Sequence, residues 1–232
     1  MAAAEGGLPL TGGLPELAEV PWRPLADERT LRRADRRWTA WTIAQELPLL
    51  ATAVGLPLLS PILIPMSLIA LAFAWFIPDL WAAKGAEVLR PPRSRGATNP
   101  GAELRAIGLL GDLVDHDART LLSRTGLITE RGRLGTWLIG GKGAVLVRGS
   151  GRRVQCYCVR ATGDDLPPAD RIAHLLLALR ADERGFATVA NLSFSGARWR
   201  LARKLPENAR AGLGVAARIA RGDPGAEVSI SP

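Results

Sequence analysis

The chain has 232 residues, 47% of them apolar, with 30 Lys and Arg against 22 Asp and Glu and a formal net charge of +8. That apolar content excludes a disordered chain, and two cysteines exclude a disulfide-built mini-protein of this size. Residues 1–99 carry 10 basic and 9 acidic side chains and residues 100–232 carry 20 and 13, so the excess charge of +7 lies in the C-terminal part, where an anionic partner would feel it.

Residues 1–37, with two Gly-Leu-Pro copies at 7–9 and 13–15, read as a flexible cytoplasmic tail that cannot bury a core. From Trp38 to Trp81 the only ionisable side chains are Glu46 and Asp79. One membrane crossing takes ~20 apolar residues, so this stretch suits two. Gly55, Pro57, Ser60, Pro61 and Pro65 supply the break. The expectation is a transmembrane hairpin within residues 38–83, Thr39–Leu59 and Ile62–Leu80, with its tip at Ser60-Pro61. Arg32, Arg33, Arg36 and Arg37 precede it, and Lys84, Arg90, Arg93 and Arg95 follow. Positive flanks at both ends keep both termini on the cytoplasmic side of the membrane, and the expected location is a bacterial inner membrane. Trp38, Trp41, Trp75 and Trp81 fall near one interface, and Glu46 is read as snorkelling toward it. The rival readings are a buried core hairpin and a single pass with the first helix lying in the interface.

Residues 84–99 read as a basic linker whose Arg90, Arg93 and Arg95 rest on anionic headgroups. A cytoplasmic α+β domain over residues 100–222 follows, then a tail over 223–232. Asn99-Pro100 starts a helix, and Ile107, Leu110, Val114 and Leu121 keep its spacing to about Arg124. Gly135–Ile139, Ala144–Arg148 and Val154–Ala161 read as a meander with glycine turns. A second helix carries Ile172, Leu175, Leu176 and Leu179, Ala187–Phe194 reads as a fourth strand, and Pro206–Ala220 is the last helix. Between them Arg198, Trp199, Arg200 and Leu201 alternate with period two, which predicts a basic edge strand. The order is α-βββ-α-β(β)-α.

Candidate chemistry is sparse. Cys156 and Cys158 share one face of a strand in poor disulfide geometry and, as two thiols alone, make no zinc site. Asp170 and His174 share a helix face without a third ligand, and Asp115-His116-Asp117 point apart. Gly140-Gly-Lys-Gly143 lacks phosphate-loop spacing, so no cofactor is expected. The cluster Arg198, Trp199, Arg200, Arg203 and Lys204 is the most functional-looking surface, fit to rest on anionic lipid or to grip phosphates and stack a base of a nucleic acid.

Gly101-Ala102-Glu103 opening a helix, with Trp137–Val147 as paired strands, resembles the nuclease-related domain over about residues 100–205. That resemblance implies a restriction-endonuclease-like fold tethered by membrane helices, with Glu103 in the place of a metal-binding glutamate. The family's Asp falls at Gly135-Thr136 here, and its carboxylate-x-Lys at Val147-Arg148-Gly149-Ser150. Metal-dependent cleavage needs converging carboxylates, so the resemblance implies a non-cleaving form. The expected function is a membrane-anchored interaction or scaffolding domain, partnered by anionic lipid and by other membrane proteins. The alternative is a tethered nuclease or nucleic-acid binder.

Overall fold

A computed structural model describes residues 25–91, 100–159 and 166–223. Two long helices lead the chain: α1, Glu28–Leu59, and α2, Ile64–Ala86, joined by Ser60 and a 3-10 turn over Pro61–Leu63. Both are long and apolar enough to cross a membrane. Their apolar side chains point outward: Leu47, Val54, Leu58, Ile62, Leu68 and Trp75 are all exposed, and only 6% and 22% of the two most apolar windows is buried. A hairpin buried in a soluble core would show the reverse. The helices run antiparallel, tied by the Ser67 hydroxyl donating to the Ala53 carbonyl and by Trp41 against Trp81 at 5.2 Å.

The break falls at Ser60-Pro61, whereas Gly55 and Pro57 lie inside α1 and Pro65 in the first turn of α2, and α1 starts earlier than the 1–37 tail allows. Asp27 caps it reciprocally with Thr30. Its first turns lie on the domain, where Leu31 is buried, so the tail ends before Glu28; residues 1–24 lie outside the description. Likewise α2 continues to Ala86, and Val88 and Leu89 are buried against the sheet. The first part of the 84–99 linker is therefore packed structure. Arg93 and Arg95 lie outside the described residues.

The domain is α+β. Among the described residues, α3 (Pro100–Leu113), α4 (His116–Thr125), α5 (Pro168–Ala181), α6 (Glu183–Val189), α7 (Arg198–Lys204) and α8 (Glu207–Arg221) surround a five-stranded antiparallel sheet. Its order follows the chain: β1 (Ile128–Arg131), β2 (Thr136–Gly140), β3 (Gly143–Val147), β4 (Arg153–Cys158) and β5 (Asn191–Ala197). The β2–β3 register pairs Gly140 with Gly143 around a two-residue turn, where Gly143 has φ +150° and a Cβ would meet the Tyr157 carbonyl oxygen.

Both faces of the sheet are covered, which is why β2 and β3 read as unbroken apolar runs rather than alternating ones. On one face Ile128, Trp137, Ile139, Leu146 and Tyr157 pack against α3, α5 and α6. On the other, Leu138, Val145, Val147, Cys156 and Phe194 meet Ala82 and Ala86 of α2, Leu201 of α7 and Leu213 of α8. Gly85 lets α2 approach this face, since a Cβ there would lie 2.6 Å from the Phe194 Cβ. The start of α1 and the end of α2 thus meet the same sheet.

Four features correct the sequence reading. The helix expected to reach Arg124 breaks at Asp115, which leaves the helical region to cap α4 by accepting from the Ala118 amide. A short strand, β1, follows Gly126. Ala187–Phe194 is split, with residues to Val189 in α6, capped by Asp182 accepting from the Gly185 amide. The Glu183 carboxylate secures that helix by accepting from the Arg133 and Leu134 amides and from Trp137 Nε1 at 2.6 Å. Finally, Arg198–Lys204 is a helix and not an edge strand. Its Leu201 and Leu205, four apart, are both buried against α2 and α8.

Candidate functional site

Helix α7 follows directly from the end of β5, where the Arg198 amide donates to the Arg152 carbonyl and closes the ladder. It then packs on α2, with clefts between it and α1. As a helix it turns Leu201 and Leu205 inward and leaves Trp199, Arg200, Arg203 and Lys204 on the hairpin side. Lys204 Nζ reaches Asp79 Oδ2 of α2 at 2.6 Å, with both side chains mostly shielded from water. The Arg200 and Arg203 guanidinium carbons sit 5.4 and 5.8 Å from the Trp199 ring centre. That ring is 53% exposed. Among the described residues neither guanidinium has a hydrogen-bond or ion-pair partner.

Two clefts open under α7. One, of about 320 Å³, is floored by Leu50, Leu71, Ala74 and Trp75. The other, of about 260 Å³, runs up to Trp38, Trp81 and Phe194. Glu46, Pro78, Trp199 and Arg200 line both. Glu46 is half-buried, and its Oε1 is fully buried with no hydrogen-bond partner. Above the clefts Trp38, Trp41 and Trp81 pack edge to face, Trp38 also touches Phe194 at 6.3 Å, and Lys84 Nζ lies 4.5 Å over the Trp81 ring. This aromatic layer marks where the apolar hairpin gives way to the domain.

The structure therefore gathers Trp199, Arg200, Arg203 and Lys204, while Arg198 and Arg90 have other surroundings and Arg93 and Arg95 lie outside the described residues. Arg198 is partly buried; that burial and the nearby Arg221 charge push its pKa down. Arg90 pairs with Glu87 and lines a different cavity. The missed partner is Asp79, more than a hundred residues away in sequence, and Glu46, as distant, lines the same clefts without pairing. A helical reading of Leu201 and Leu205 was the local signal that could have found the shared face of Arg200, Arg203 and Lys204.

Glu103 lies on that different cavity, about 810 Å³, with Ile107, Asp112, Leu122, Ile172 and Leu205. Its carboxyl is pushed above the usual glutamate range, first by burial and then by the nearby Asp170 charge, against the Ala169 amide that lowers it. Among the described residues no three His, Cys, Asp or Glu side chains come together to hold a metal ion. Cys156 is buried and Cys158 half-buried, both as free thiols. Comparison with protein-family models, curated proteins and solved structures finds no match to this chain.

Proposed function

We propose that this chain is a membrane-anchored cytoplasmic interaction domain, in which α1 and α2 form a two-pass anchor in a bacterial inner membrane and α7 holds the domain's basic face on the inner leaflet. The observation that carries this reading is the placement of α7. Trp199, Arg200 and Arg203 lie beside Trp75 and Asp79 of the apolar hairpin, and among the described residues neither arginine forms an ion pair. Each basic residue near an anionic leaflet contributes ~1 kcal/mol, within a screening length of ~8 Å. A surface held this way presents the remaining faces of the domain to other membrane proteins, a scaffolding role.

Reporter fusions at the two ends of the full chain should both read cytoplasm, and carbonate should leave the chain in the membrane fraction. Ends on opposite sides, or extraction by carbonate, overturn the anchor. In vesicles of lipids brominated near the headgroup, Trp199→Phe should remove a quenched component of the tryptophan emission. An unchanged quenched fraction would overturn the docking of α7.

The nuclease alternative draws its support from Glu103, which shares a cavity with Asp112 and feels the Asp170 charge. Plasmid nicking by the full chain with magnesium or manganese, lost in Glu103→Gln, would favour it over scaffolding.

A further inference from the structure

The clefts under α7 have an uneven set of charges. Lys204 satisfies Asp79. That leaves, among the described residues, two guanidinium groups above without an ion-pair partner and one carboxylate oxygen of Glu46 below that is buried and unpartnered. A buried carboxylate without a donor is costly, and two adjacent guanidiniums present the forked donors that suit a phosphate. Beneath them the floor of Leu50, Leu71 and Trp75 is apolar and open to the outside of the hairpin.

We infer that this groove is a site for one phospholipid, with its phosphodiester between Arg200 and Arg203, a hydrogen-bond donor of its headgroup on Glu46, and an acyl chain along Leu50, Leu71 and Trp75. The inference rests on the membrane reading above and adds a selectivity to it. Glu46, which lines both clefts beside Arg200, would accept an N–H or O–H from the headgroup through its cleft-facing side. An ethanolamine ammonium or a glycerol hydroxyl supplies one; a choline headgroup, with no N–H or O–H, supplies none and leaves Glu46 orphaned. The apolar floor sets this site apart from one for a soluble phosphate, which would leave it bare. Trp199, packed by both guanidiniums, holds them over the groove and is itself half-exposed toward the headgroup layer.

The test is native mass spectrometry of the full chain in neutral detergent, delipidated and then supplied with phosphatidylethanolamine, phosphatidylglycerol or phosphatidylcholine. A single ethanolamine or glycerol lipid should be retained, with the choline lipid at least tenfold weaker. Comparing the first two lipids separates an ammonium from a hydroxyl donor. Arg200→Gln with Arg203→Gln should lower retention at least tenfold, and the corresponding double Lys variant, which keeps charge but not the fork, should fall between. Glu46→Leu should remove the discrimination against choline while lipid is still held. Glycerol 3-phosphate at millimolar concentration should not displace the lipid.

Equal retention of all three lipids, wild-type retention by the double Gln variant, or displacement by glycerol 3-phosphate would each overturn the site. These outcomes are distinct from failure of the anchor. A chain that resists carbonate yet retains no lipid keeps the hairpin and loses only this inference.

Discussion

Asp35 is one of the side chains that couple the hairpin to the domain, and its removal should be measurable. Asp35 Oδ1 on α1 accepts from Arg153 Nε at 3.1 Å and Nη2 at 2.6 Å, and from the Ser195 hydroxyl at 2.8 Å. One turn away Gln155 donates to the Leu31 carbonyl and Arg153 to Thr39. In Asp35→Ala the Arg153 side chain, 42% exposed, recovers water, so the ion-pair part is worth at most about 1 kcal/mol. Ser195 is 2% exposed and cannot recover water, which adds about 1–3 kcal/mol for the orphaned hydroxyl. The expected loss is about 2–3 kcal/mol, or roughly 5–10 °C in Tm for a chain of this size. Thermal unfolding of the full chain in detergent, followed by circular dichroism, reads it. Ser195→Ala in the Asp35→Ala background removes the orphaned group, so the two losses should fail to add by about 1 kcal/mol. A Tm within 1 °C of wild type, or strict additivity, refutes the account.

Glu183→Ala should cost about 2–3 kcal/mol, because the wholly buried Trp137 loses the acceptor of its indole N–H; Glu183→Gln should recover part of that in the same melt, and a neutral Ala variant would contradict the role. Gly85→Ala should lower stability by about 1–3 kcal/mol, since the added methyl meets the Phe194 Cβ at 2.6 Å and Cys156 Sγ at 3.2 Å; an unshifted melting curve would show that α2 can move away freely. Burial pushes the Cys156 thiol up, so neutral maleimide should label a single site in the folded chain, Cys158, and two after denaturation, with Cys158→Ser abolishing the native reaction; rapid labelling of both would refute the buried placement. The raised Glu103 pKa means that the folded state holds its proton to higher pH than the unfolded state, so its stabilising contribution is full below the ordinary value of 4.5 and is lost as pH rises through the raised one. Tm measured across that range should fall more steeply with rising pH in wild type than in Glu103→Gln, and parallel curves would contradict it.

Legibility differed sharply between the parts of this molecule. The uncharged run from Leu47 to Ile77 and the Ser60-Pro61 break reveal the hairpin because helix length and proline chemistry are local properties. The β2–β3 turn is legible for the same reason: Gly140 to Gly143 carries its own geometry. Helix α7 is the contrary case. Its Arg198-Trp199-Arg200-Leu201 run fits period two as well as a helix, and what decides it is the α2 and α8 surface that takes Leu201 and Leu205. The same holds for α6, which Glu183 and Phe186 secure against Trp137 from a distant strand. At the candidate site, residue types were visible but their grouping was not. Lys204 meets Asp79, and Arg200 overhangs Glu46, across more than a hundred residues of chain. Composition and periodicity thus determined the apolar hairpin, the α+β class and the basic surface. Only tertiary packing decided which of those charges are neutralised and which are left facing the groove, because pairing depends on which elements the folded core brings together.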